Sequence, residues 1–212
     1  MTRANRQHDV TADHVAFTVE ALAAIAGDAD LHKLSARVNG LLTDWEGIDA
    51  EGRRLERAVI RASAHVKVAD ATLDAAIAAF ATDLVAHVGG DLSHATYTGF
   101  FTEPHDEVIA MGLDSEVPEV TLIVHALDQQ GEAAPAKLRA HLEPLRAGLK
   151  LGNGALASRS DALADLGRHM ARVEAWHETA AASLRSTHAA LARAAQKRAL
   201  PASWPDAFFN VL

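Results

Sequence analysis

Residues 30–88 read DLHKLSARVNGLLTDWEGIDAEGRRLERAVIRASAHVKVADATLDAAIAAFATDLVAHV, and their apolar positions recur at alternating steps of three and four. Leu31, Leu34, Val38, Leu41, Trp45, Ile48, Gly52, Leu55, Val59, Ala62, Val66, Ala69, Leu73, Ala76, Phe80, Asp83 and His87 stay in one phase. A mean step of about 3.5 is the seam of a coiled-coil helix. Unbroken, such a tract would reach roughly 88 Å at 1.5 Å per residue. Residues 136–199 repeat the rhythm through Leu138, Leu142, Leu145, Leu149, Gly152, Leu156, Arg159, Leu163, Leu166, Met170, Val173, His177, Ala180, Leu184, Thr187, Leu191 and Ala194. The two tracts predict an all-α fold: an antiparallel bundle built on two long coiled-coil-like helices, with a short-helix cap. Leu163→Asp, on this seam, is expected to unfold or dissociate the protein.

Glycines decide whether the tracts are continuous or broken. Antiparallel pairing places Trp176 beside Asp49, between Gly47 and Gly52. There the two glycines either relieve crowding under the indole or end the helix, each costing about 1 kcal/mol against Ala inside a helix. The Gly152-Asn153-Gly154 triplet predicts a kink or short loop.

The remaining segments complete a single all-helical domain over 1–212. Residues 1–10 are polar and read as frayed. An N-terminal helix over 11–26 starts at Thr11 or Asp13 and stops at Gly27, burying Val15, Val19, Leu22 and Ile25 or Ala26. The 89–135 region holds Gly89-Gly90, Pro104, Pro118, Gly131 and Pro135. It reads as loops with short helices, one from Glu103 or Asp106 to Gly112 and one opened by Pro118. Tyr97, Phe100 and Phe101 read as an apolar plug for the end of the bundle. The tail, 200–212, is apolar enough to dock through Trp204, Phe208 and Phe209.

Composition agrees with this reading. Of 212 residues, 49% are apolar and only 5% aromatic. An Ala- and Leu-rich mix favours helices over sheets. The absence of cysteine excludes disulfides, thiolate metal ligands and a cysteine nucleophile. The run Val15–Ala26 is broken by Thr18 and Glu20, and Ala75–Val88 by Asp83, so neither reads as a membrane span. No leader is evident, and the expected compartment is the cytoplasm.

The net charge of −8 is unevenly spread. Residues 89–135 carry nine acidic groups and no Lys or Arg, whereas 136–198 carry eleven basic and five acidic groups. The basic tract pairs either with acidic neighbours in its own chain or with a charged partner. The overall acidity argues against nucleic acid, and the lack of a net basic face against a membrane surface.

Twelve histidines prompt a search for metal spacing. Glu174 and His177 form one E-x-x-H, the spacing that di-iron helical bundles use twice. No second copy is present, and Asp44, Glu46, Asp49 and Glu51 match the remaining ligands loosely. Asp165 and His169 share a helical face, and His65 falls opposite Ser160 or Asp161. Asp91, His94, Tyr97, Glu103, His105, Asp106 and Glu107 are dense but lack zinc spacing. No phosphate loop, G-x-S-x-G elbow or H-E-x-x-H occurs. No family resemblance is recognised in these residues. The expected function is a non-enzymatic, self-associating scaffold or protein–protein interaction protein, acting on a protein partner or as a homo-oligomer, without cofactor. The alternative is a helical-bundle metalloprotein or small-ligand-binding protein, with Glu174 and His177 as candidate ligands.

Overall fold

The computed structural model describes residues 3–25 and 27–209, with side chains from Thr11 onward. Ala26 and residues 210–212, placed above in the first helix and the tail, lie outside the described residues. The described chain is helical, with no strand. Among the described residues, seven α-helices follow one another: α1 (Arg3–Ala23), α2 (Ala29–His87), α3 (Ala95–Thr98), α4 (His105–Ile109), α5 (Leu113–Gln130), α6 (Ala136–Arg139) and α7 (Leu142–Lys197). None is long and apolar enough to cross a membrane.

Both long helices run through their glycines. α2 is continuous at Gly47 and Gly52, and α7 at Gly152-Asn153-Gly154. The expected kink at the triplet is absent because packing makes use of one of its glycines. A Cβ on Gly152 would lie 3.2 Å from Leu113 Cδ1 and Val117 Cγ2 of α5, so the missing side chain admits that helix. The second tract does break earlier, at Ala140–His141, between α6 and α7. Pro144 sits in the first turn of α7 and has no N–H to bond back across that junction. Pro118 lies inside α5 rather than opening it: the helix begins at Leu113, with Ser115 and Glu116 N–H groups donating to Gly112 O.

The described residues form two compact units. The first comprises α1, α2 up to Leu55, and α7 from Asp165 with the tail. Val15 and Val19 of α1 pack with Val38, Trp176 and Ala180, and Leu22 packs with Leu31, Leu191 and Phe208. α1 begins at Arg3 rather than at Thr11 or Asp13. Thr11 instead hydrogen-bonds His177 Nε2 at 2.8 Å. Asp28 starts α2, accepting from the Asp30 and Leu31 N–H groups. Its carboxyl is held down to about 2, first by Arg198 and then by those N–H groups. Trp204, Phe208 and Phe209 pack in the Leu22–Leu31–Leu191 cluster, so the tail docks as expected.

The antiparallel register differs by one turn from the expected one. Trp176 stacks on Trp45, not beside Asp49, with ring centroids 4.5 Å apart, and its Nε1 donates to Leu41 O at 3.0 Å. Gly47 faces open space. Gly52 does relieve crowding, but under His169: a Cβ there would come 2.8 Å from His169 Nε2.

The second unit runs from Glu56 to Ala164. Its core centres on Phe80, with Leu73, Ile77 and Leu84 of α2, Val117, Val120, Ile123 and Leu127 of α5, and Leu138 and Leu145. Tyr97, Phe100 and Phe101 are buried against it, forming the expected plug. Ile77, off the α2 column of Leu73, Ala76 and Phe80, is also fully buried because α2 meets more than one helix here. Asp83 at the seam binds Lys137 and His141, which hold its carboxyl below the ordinary range. Arg146 bonds Asp128 and Arg159 bonds Asp114, so part of the basic tract is neutralised within the unit.

Two glycines of α7 in this unit give a test with opposite signs. A Cβ at Gly148 would fall 2.7 Å from Leu73 Cδ1, whereas Gly154 has nothing within 4 Å. Gly148→Ala is therefore expected to destabilise by about 1–3 kcal/mol through overpacking. Gly154→Ala should stabilise by up to about 1 kcal/mol through helix propensity. Urea midpoints of both variants check this, and equal shifts would remove the proposed α2–α7 closeness.

One further correction concerns the α7 seam. Leu163 is 50% and Met170 42% exposed. Ala155, His169 and Trp176 are buried in place of Leu156, Met170 and His177. Steps of three and four interchange without changing a mean of about 3.5, so periodicity could not choose between the two columns.

Candidate functional site

α2 and α5 bring three carboxylates together in the second unit. Asp70 and Asp74 are one turn apart on α2 and therefore share a face. Glu116 stands on α5 in the stripe Leu113, Glu116, Val120, Ile123 and Leu127, whose steps of three and four place it inward. Its relative exposure is 0%, and neither Oε1 nor Oε2 has a hydrogen-bond donor. One oxygen each of Asp70 and Asp74 is likewise buried without a partner. The cluster thus offers acceptors and no donors.

The sequence explains why no cation answers them. No Lys or Arg occurs between Lys67 and Lys137, which leaves this length of α2 and all of α5 without a positive side chain. Arg159 of α7 is engaged by Asp114. A buried ion without a partner is costly, and the economical solution is to keep it neutral. Burial pushes the Glu116 carboxyl up to about 8, helped by hydrogen bonding to Asp74 and by the charges of Asp74 and Asp70. Burial also raises Asp74, and the charge of Asp70 adds to this, while Glu116 as hydrogen-bond partner opposes it. Glu116 therefore stands buried beside Asp74 with no donor from the protein to either of its oxygens.

The residues selected from sequence fall elsewhere. Glu174 is exposed on α7, and His177 is half-buried with its Nε2 toward Thr11. Asp165 pairs with Arg168, whereas His169 turns inward over Gly52 with its Nδ1 buried and unpartnered. His65 is exposed. In the cap, Tyr97 Oη and His105 Nδ1 are 2.9 Å apart, Asp91 accepts from Ser93, and His94 Nδ1 caps α3 by accepting from the Thr96 N–H. Among the described residues, no group of three or more His, Asp or Glu is placed to hold a metal ion. Asp70, Asp74 and Glu116 escaped the sequence reading. The available signal was one acid inside the apolar stripe of α5, in a segment without a single base. Compared with known proteins, the chain matches no family model, no curated protein and no solved structure.

Proposed function

We propose that this protein is a non-enzymatic helical interaction protein of the cytoplasm that associates with a second copy of itself. The observation that carries the reading is the set of large apolar side chains left outside the second unit. Ile60 is 68% exposed, and Val68, Leu122, Leu151 and Leu163 are also exposed. Such side chains on long helices gain by burial against a partner. Charge complementarity favours a second copy as that partner. Glu103, Asp106, Glu107 and Glu132 are exposed in the acidic region, and Lys150, Arg185, Arg193 and Lys197 are exposed on α7. Acidic and basic surfaces on one chain suit association between copies.

Sedimentation velocity over a range of concentration and salt tests this. The wild-type protein is expected to sediment as a dimer or larger species, weakening as salt rises. Leu163→Asp is expected to reduce association while costing about 1 kcal/mol or less in folding, because the side chain is half exposed. A wild-type monomer at every concentration would end the proposal. A Leu163→Asp variant that unfolds would instead restore the seam position given to Leu163 by periodicity.

A further inference from the structure

We infer that the Asp74 and Glu116 carboxyl groups share one proton at neutral pH and form a pH-sensitive clasp between α2 and α5. The inference is independent of self-association. Its basis is geometric: a fully buried glutamate with both oxygens unpartnered, and two half-buried aspartates on the facing helix, each with one oxygen buried and unpartnered. The charged groups acting on Glu116 are Asp74 and Asp70 from α2. On its own helix, Asp114 is engaged by Arg159 of α7, and Glu119 adds only further negative charge. From α7, Arg159 is the charged group at this end of α5 and is engaged by Asp114, while Gly152, against Leu113 and Val117, brings no charge. With the proton present, the pair makes an O–H···O⁻ bond of the strong, charge-assisted kind. With the proton lost, adjacent buried carboxylates repel, and α5 is pressed away from α2.

The direction of the pH effect follows from where the proton is bound. Burial beside Asp74 and Asp70 pushes the folded Glu116 carboxyl from its ordinary 4.5 up to about 8. Between those values the native state holds the extra proton, so stability falls as pH rises and levels off above the folded value. The carboxyls held low, Asp28 and Asp83, act in the opposite sense, and their effect lies below the ordinary carboxylate range.

The test compares the full chain with Glu116→Gln, whose amide donates to Asp74 at every pH. Thermal midpoints of the two are expected to converge at about pH 5, and at about pH 9 the wild type is expected to melt roughly 5–10 °C lower. Parallel profiles would overturn the clasp. Should Glu116→Gln fail to fold, difference infrared spectroscopy of the wild type supplies the second measurement. A protonated carboxylic acid carbonyl is expected at neutral pH and should vanish on alkaline titration, and its absence at neutral pH would overturn the clasp. Both experiments are run with chelator and again with added Ca²⁺. A wild-type midpoint raised by Ca²⁺, with loss of the acid carbonyl, would show that the carboxylates hold a cation rather than a proton.

Discussion

Phe80→Ala is expected to destabilise the second unit by about 3–5 kcal/mol, the range for a fully buried aromatic cut to a methyl. Phe80 has no exposed surface. Its ring meets Phe100 edge-on at 5.3 Å, Phe101 at 5.9 Å and His141 at 6.0 Å. These partners come from the turn after α3 and from the α6–α7 junction, so one ring of α2 packs against two separate stretches of the chain. Removing it takes away transfer energy and leaves a void that rigid helices cannot close. For a chain of this size each kcal/mol moves the melting midpoint by roughly 2–4 °C. The chain carries its own reporters. Tyr97, its single tyrosine, lies in this core, whereas Trp45, Trp176 and Trp204 all belong to the first unit. Near-ultraviolet circular dichroism at the tyrosine band should therefore register the loss. A cost below about 1 kcal/mol would mean that the aromatic plug is not the centre of this core.

Trp176→Ala should have a comparable effect in the first unit, about 3–5 kcal/mol. The indole is buried, stacks on Trp45 and donates to Leu41 O. Substitution removes the largest buried ring of the Val15–Val19–Val38–Ala180 cluster and an aromatic pair worth about 0.5–1.5 kcal/mol beyond its buried area. Trp176→Phe separates the contributions, since it retains a ring for Trp45 and deletes only the indole N–H, a hydrogen bond worth about 0.5–1.5 kcal/mol. Urea titration followed by the remaining tryptophan fluorescence gives both numbers. If Trp176→Ala were no worse than Trp176→Phe, the stack on Trp45 would carry no stability.

The helical class and the two long helices were legible in the sequence, because apolar spacing reports which residues share a helix face and composition disfavoured sheet. The plug of Tyr97, Phe100 and Phe101 and the docking of Phe208 were legible too, since aromatic side chains in polar surroundings need a place to be buried. What the spacing left open was the choice between columns separated by one residue. Leu163 and Ala162, or Met170 and His169, satisfy the same mean period, and only the facing helix selects. In the structure Gly52 leaves room for His169, Trp45 takes Trp176, and Leu73 lies where Gly148 has no side chain. The carboxylate cluster was hidden for the same reason. Asp70 and Asp74 flank Leu73 on α2 as ordinary polar residues would, and Glu116 is an acid early in a helix, a favourable place in water. Local sequence therefore determines which residues can form each helix and which face of it is apolar. Tertiary packing alone decides that α5 lies over Asp74, which buries Glu116 among acids with no base to answer it.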